Sequence, residues 1–321
     1  MRAATGLLLV LAAALPGSEI WLGDSLARLG FANPAPERDG GERFSRARPE
    51  PLVVTAERDR DHLLVDGVKV SLGEAAALRT QRPKVGPAIP RLAIRRSDYD
   101  KVLLPLLWGP PPEARRPVRI LLDPGHGGRD PGFQNKALRL DEKDLALDTA
   151  RRVATRLRAA GFEVLMTRDR DVFLDLKDRS ALAAKLRADL FVSLHYNAAA
   201  ATSAAGAETF CLTPAGQHST HDTGNRGSTR AEPGNRFDAL NVRAAYAVQR
   251  ALVTGLRSTD RGVKRSRFSV LTDLTCPGIL IEAAFLSNRG EAIRLSQESH
   301  RERIAQAIAD GIVAYASALP R

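Results

Sequence analysis

Hydrophobic and polar positions divide this chain into distinct stretches. The first is a continuous apolar run from Ala3 to Leu15, preceded by Met1-Arg2 and followed by Pro16-Gly17-Ser18. Residues 19–50 are polar, rich in Pro, Gly and Arg, and carry no sustained period, which predicts an irregular linker. Between 51 and 107 the pattern becomes structured. Leu63-Leu64-Val65 and Val68-Lys69-Val70 flank Asp66-Gly67, a two-residue hairpin signal. Leu72 to Leu78 has helical character, and Lys101 to Leu107 is a short apolar segment. The expectation for 51–107 is a small α+β unit. Trp108-Gly109-Pro110-Pro111-Pro112 interrupts regular structure, so 108–116 reads as a second linker.

From Pro117 strands and helices alternate. Val118 to Leu122 predicts a short buried strand. Leu145 to Ala160 carries an amphipathic stripe at Ala146, Ala150, Val153 and Leu157, stopped by Gly161. Phe162–Thr167 predicts a strand, Leu176–Ala188 a helix with Leu182 and Leu186 inward, and Leu190–Leu194 another buried strand. Ala207–Thr213, Phe268–Leu271 and Gly278–Ile281 read as strands, Ala239–Leu256 as a helix and Arg301–Ala318 as a closing helix. Residues 214–237 form a long polar loop. This alternation predicts an α/β fold for 117–321: an open, mostly parallel mixed sheet flanked by helices on both faces.

Composition narrows the function. Lys+Arg minus Asp+Glu is 48 − 37 = +11, which permits an anionic partner. Aromatics make up 5%, poor material for stacking on bases, and no groove-reading motif is present, so nucleic acid is not expected as a partner. Two cysteines exclude a disulfide scaffold and a Cys-rich zinc module. The opening run is shorter than the ~20 residues a bilayer span needs. With its basic start and the A-x-A-like site at Ala12-Ala13-Ala14, it matches a secretory leader over 1–18. The mature protein is expected to have no transmembrane segment and to work in the periplasm or cell envelope.

Candidate chemistry gathers at strand ends, where open α/β sheets place their ligands. The strand at 118–122 leads into Asp123-Pro124-Gly125-His126-Gly127-Gly128, and the strand at 190–194 into His195-Tyr196-Asn197. Glu142 opens the first long helix. Two histidines and a carboxylate with an open fourth position form a catalytic zinc set, here His126, Glu142 and His195. A carboxylate outside the set then relays the proton from water to the leaving nitrogen. Glu282 is the candidate, because it ends the apolar strand Ile279-Leu280-Ile281, where an unpaired carboxylate is costly. Bland readings stand beside these. A histidine in a glycine-rich turn also serves structure, an acid at a helix start is favoured by the dipole, and Glu282 could pair with an arginine. His218 and His221 sit in the polar loop and read as solvated.

Taken together, these motifs resemble the zinc-dependent N-acetylmuramoyl-L-alanine amidases of the type-3 amidase family. The stretches are Ile120–Gly128, Glu142-Lys143-Asp144, Ser193–Asn197, Gly206-Ala207-Glu208, Asp260–Lys264, Phe268–Leu271 and Ile281–Asn288, in family order across 117–321. The resemblance implies hydrolysis of the amide between the lactyl group of N-acetylmuramic acid and L-alanine of the peptidoglycan stem peptide. It implies one Zn²⁺ on His126, Glu142 and His195, Glu282 in catalysis, and a zinc-exopeptidase-like sheet. Asp123, Asn197 and Arg261 are expected to support the ligands or to touch substrate. Peptidoglycan is the implied partner, with an activator protein as a further candidate.

Some members carry a helical insertion that blocks the zinc. Here 214–238 has no apolar helical stripe, so no helical plug is expected. The resemblance stops before residue 115, and packing on the catalytic domain ranks first among roles for 51–107. Cys211 and Cys276 are expected as buried thiols, with a disulfide as the minority alternative. The competing functions are a zinc peptidase acting on free peptides and an inactive wall-binding module.

Overall fold

The computed structural model describes residues 19–32, 35–36, 41–47, 52–57, 60–72, 77–81, 89–220 and 230–321. The expected leader at 1–18 and His221 lie outside the described residues. The N-terminal region contains strands β1 (Glu19–Trp21), β2 (Ala35–Pro36), β3 (Glu42–Arg46), β4 (Leu52–Ala56), β5 (His62–Val65), β6 (Val68–Ser71), β7 (Ala77–Gln81) and β8 (Ile89–Arg95). Helix α1 (Leu22–Ala27) follows β1, and a helical segment from α2 (Arg96–Asp98) to α3 (Leu104–Trp108) follows β8. The remainder contains β9 (Arg119–Pro124), β10 (Gln134–Asn135), β11 (Leu140–Asp141), α4 (Glu142–Ala159), β12 (Glu163–Met166), α5 (Leu176–Lys185), β13 (Leu190–Asn197) and β14 (Ala207–Leu212). It ends with α6 (Asp238–Leu256), β15 (Asp260–Ser266), α7 (Ser269–Thr272), β16 (Gly278–Phe285), α8 (Arg289–Ser296) and α9 (Glu298–Ser317).

The main sheet runs β12-β9-β13-β16-β14-β15-β6-β5-β4-β3-β2. Strands β12, β9, β13 and β16 are parallel, and β14 is antiparallel to β16. Alternating side chains feed two cores. Ile120, Leu122, Val192, Ile279 and Ile281 pack in one cluster with residues of α4, α6 and α9. Leu121, Phe191, Phe210 and Leu280 pack in a second with Ala183 of α5 and Val270 and Leu271 of α7. The stripe read from the sequence is the buried face of α4: Ala146, Ala150, Val153 and Leu157 are all fully buried. The open, mostly parallel sheet between helical layers is therefore the observed fold, with an antiparallel wing contributed by the N-terminal strands.

The hairpin signal at Asp66-Gly67 is realised. Val65 pairs with Val68, and both turn residues take positive φ, 47° and 78°. Three expectations need correction. The stretch 19–50, read as an irregular linker, holds β1, α1, β2 and β3, because Leu22, Leu26 and Phe44 bury apolar side chains at isolated positions of an otherwise polar stretch. Leu78, read as helical, lies on β7 and pairs with Leu92. Phe268–Leu271, read as a strand, is the turn into α7, whose Val270 and Leu271 seal the second core. Short apolar runs do not distinguish the two states by period.

The N-terminal strands join the main sheet edge to edge. Val70 of β6 pairs with Val263 of β15, and Asp260 Oδ2 accepts the Lys69 backbone N–H at 2.7 Å. Tyr246 donates to the Val65 carbonyl at 3.1 Å. Arg265 and Asp98 form an ion pair at 2.9 Å with both side chains buried. Removing one partner of such a pair strands a buried charge. Asp98→Ala is thus expected to lower the unfolding free energy of the full chain by about 3–5 kcal/mol, read as a shifted urea midpoint.

Cys211 and Cys276 are both free and buried, and burial pushes each thiol up to about 12. No helix among the described residues is long and apolar enough to cross a membrane.

Candidate active site

The C-terminal ends of β9, β13 and β16 converge with the start of α4. His195 and Glu282 are register partners on adjacent parallel strands. By alternation they share the sheet face of Phe191 and Leu280, beside α5 and α7. His126 stands in the loop after β9 with φ 59°, a left-handed conformation that a non-glycine residue keeps only where its surroundings impose it. Arg179 supplies part of that constraint. It donates to the His126 carbonyl at 2.7 Å, to the Pro124 carbonyl at 2.8 Å and to Asp123 at 2.9 Å.

Glu142 gathers the site. His126 Nε2 lies 3.0 Å and His195 Nδ1 3.1 Å from Glu142 Oε1, and the rings meet edge to face with centroids 4.9 Å apart. The Tyr196 backbone N–H also donates to Oε1 at 3.1 Å, and the Phe133 backbone N–H to Oε2 at 2.9 Å. Phe133 is placed by the small β10–β11 hairpin. Burial works against the Glu142 charge, but hydrogen bonds from both histidines outweigh it and hold its carboxyl well below the usual carboxylate range. Burial likewise opposes a charge on His126, yet its contacts with Glu142 and Asp130 raise its pKa.

This donor set fits a divalent metal. One ligand atom from each of His126, Glu142 and His195 lies within 4.8 Å of the others. Ligands at zinc distances around a tetrahedron stand about 3.3 Å apart, close to the spacings observed. Two glycines leave the space this requires. A Cβ on Gly125 would sit 2.2 Å from the His195 ring. Gly132 has φ 65°, and a Cβ there would meet Glu142 Oε2 at 2.6 Å.

Glu282 faces the same cleft without joining the set. Its Oε2 is buried and has no hydrogen-bond partner among the described residues. Burial, then the charges of Glu142 and Glu208, push its carboxyl well above the ordinary value. The cleft has a volume of about 390 Å³. Leu176, Phe268 and Val270 give it an apolar wall, and Asn197 and Arg267 add polar groups. Leu176 is 54% exposed, so this wall faces solvent.

The residues with expected supporting roles are placed differently. Asp123 is fully buried and accepts from Thr167, Arg179 and Ser193 at 2.6, 2.9 and 2.8 Å. It braces the loop from below and contacts neither histidine directly. Asn197 lines the cleft and donates to Glu208 at 2.6 Å. Arg261 donates to the same Glu208 at 2.8 Å but lines a separate cavity beside β5 and β6, not the cleft. Two residues hold positions here for which the sequence assigned no role. Asp130 accepts from His126 Nδ1 at 2.9 Å and so fixes that ring. Glu208, an acid inside the apolar strand β14, carried the same signal that singled out Glu282. Carboxylates that orient a ligand histidine tune metal affinity. Asp130→Ala is expected to weaken zinc binding by about 10–100-fold, measured by competition with a chromogenic chelator.

The flanks of the 214–238 loop contain no plug helix. Thr220 donates to the Arg265 carbonyl at 2.8 Å, and Pro233–Phe237 forms one 3-10 turn leading into α6. Residues 221–229 lie outside the described set.

Known proteins match this architecture. LytC of Bacillus subtilis, an N-acetylmuramoyl-L-alanine amidase, is 36% identical over 197 residues, covering 61% of this chain and 35% of its own length. AmiC of Escherichia coli, also an N-acetylmuramoyl-L-alanine amidase, is 33% identical over 245 residues, covering 68% of this chain and 58% of its own length. The chain thus spans about a third and somewhat over half of these relatives. The CwlD amidase of Clostridioides difficile, solved with the GerS lipoprotein, superposes with a TM-score of 0.53 at 29% identity, covering 62% of this chain and 98% of that one. Residues 120–314 match the family described as N-acetylmuramoyl-L-alanine amidase, and the chain belongs to that family.

Proposed function

We propose that this protein is a zinc-dependent N-acetylmuramoyl-L-alanine amidase acting on peptidoglycan. It hydrolyses the amide between the lactyl group of N-acetylmuramic acid and L-alanine of the stem peptide. The carrying observation is the convergence of His126 and His195 on Glu142, with the unpartnered Glu282 carboxyl in the same cleft. His126, Glu142 and His195 would hold the ion. When bound, it supplies Lewis acidity for the amide carbonyl and lowers the pKa of a water to about 7.

The protein's own groups do the rest. Glu282 takes a proton from the attacking water and returns one to the leaving nitrogen. The C–N bond breaks, the water oxygen stays on the lactyl carboxylate, and L-alanine leaves with a free amine. Burial and two neighbouring acids raise its affinity for the proton it takes from the water and later returns. Asp130 holds the His126 ring, and the Asp123–Arg179 pair holds its loop. The apolar wall of Leu176, Phe268 and Val270 offers a surface for the non-polar parts of the substrate.

On this reading residues 117–321 carry catalysis and the N-terminal unit packs against them. Residues 1–18 direct export to the periplasm or envelope. GerS accompanies CwlD in its solved complex, so an activator protein is a candidate partner here. Turnover by the isolated full chain would show that none is required. Incubation with a purified disaccharide-peptide, followed by mass analysis, tests the assignment. An amidase releases the disaccharide and an intact stem peptide. Release of single amino acids instead would identify a peptidase.

A further inference from the structure

The opposite face of β16 carries a second polar cavity that the amide hydrolysis does not use. Its volume is about 340 Å³, and it lies between the ends of α6 and β16 and the helices α8 and α9. Ala283, the residue after Glu282, lines it and belongs to the core on the far side of the sheet. The charged lining is lopsided: Arg257, Arg294 and Arg303 face a single carboxylate, Glu291.

Two of these guanidinium groups are anchored by buried residues of the cavity floor. Arg303 donates to His300 Nδ1 at 2.9 Å, and Arg294 reaches Glu291 Oε1 at 3.4 Å. His300 is 8% exposed and Glu291 5%. An imidazole nitrogen that accepts from arginine carries no proton, so His300 does not add to the charge. Its pKa falls to about 4, through burial first and then the charges of Arg303 and Arg294. Glu291 is already committed elsewhere. Its oxygens accept the backbone N–H groups of Gly206 at 3.1 Å and Phe285 at 2.6 Å, which tie β14 to β16. It offsets one of the three arginines and leaves the other two without a counter-charge in the cavity lining. Ser258 and Thr259 add polar groups beside it.

We propose that this cavity is a binding site for a phosphate-class oxyanion, carried by a polymer or free. Arginine forks with remaining donors match tetrahedral oxyanions, and charge-assisted bonds to them are the strong ones. The cavity exceeds a bare ion and accommodates the group bearing it. The site is separate from the amidase cleft and does not depend on that assignment.

Isothermal titration of the full chain at low salt tests it, with inorganic phosphate, a short glycerol-phosphate oligomer and acetate as probes. The expected result is one phosphate site per chain, with binding weakened about tenfold or more in R294Q/R303Q and unchanged in R129Q, whose side chain stacks on Phe173 elsewhere. Tighter binding of the oligomer than of inorganic phosphate assigns the site to a polymer phosphodiester, and the reverse assigns it to the free ion. R257Q serves as a second variant if the double substitution fails to fold. Phosphate binding no tighter than acetate, or unaltered in the folded variants, overturns the proposal.

Discussion

Glu282→Ala is expected to cut turnover by about 10²–10⁴-fold while leaving zinc content unchanged. The reason lies in the division of labour within the cleft. His126, Glu142 and His195 present the converging donor atoms, whereas Glu282 stands beside them with a buried, unpartnered oxygen. Its carboxylate would be costly in that position unless a reacting group uses it. On the proposed mechanism, loss of the carboxyl removes the proton relay but none of the three converging donors. The test pairs initial rates on a defined muropeptide with metal analysis of the same preparation. Full activity in the variant would remove Glu282 from the reaction, and lost zinc would make it a ligand instead.

His195→Ala is expected to have the larger effect on the metal. Losing a partner that only orients a ligand costs about 10–100-fold in metal affinity. Removing the imidazole itself takes away one of the three donors and leaves Glu142 Oε1 with fewer partners. Zinc should copurify far below stoichiometry, and activity should fall below detection. His195 stands at the C-terminal end of β13 and is only partly buried, so the fold should survive, as judged by circular dichroism. Stoichiometric zinc in this variant would show that the ion sits elsewhere.

The parts of this fold that were legible in the sequence are those ruled by local chemistry. Asp66-Gly67 announces its hairpin because few other residues tolerate that turn. The α4 stripe is legible because the helix buries one face only. Leu190–Leu194 is legible because a central strand buries both faces. The failures share a different cause. Phe268–Leu271 is too short for its period to decide, and it turns into α7 because Val270 and Leu271 complete a core assembled from distant strands. Pairing of Val70 with Val263 joins segments far apart in the chain, and no local pattern announces it.

The site divides along the same line. His126, Glu142, His195 and Glu282 could be proposed because each stands at the end of a recognisable element. Asp130 could not, because an acid four residues after a histidine in a glycine-rich loop has many other uses. Arg261 was grouped with the cleft through its motif, whereas its side chain turns to a different cavity and meets the cleft only through Glu208 and Asn197.

The most direct test of the central claim is digestion of purified sacculi by the full chain, with zinc and with a chelator, followed by mass analysis of the new amino termini. The account predicts stem peptides that begin with a free L-alanine amine, released with zinc and absent with chelator. Undiminished release in chelator, or new termini at any other bond, would contradict it.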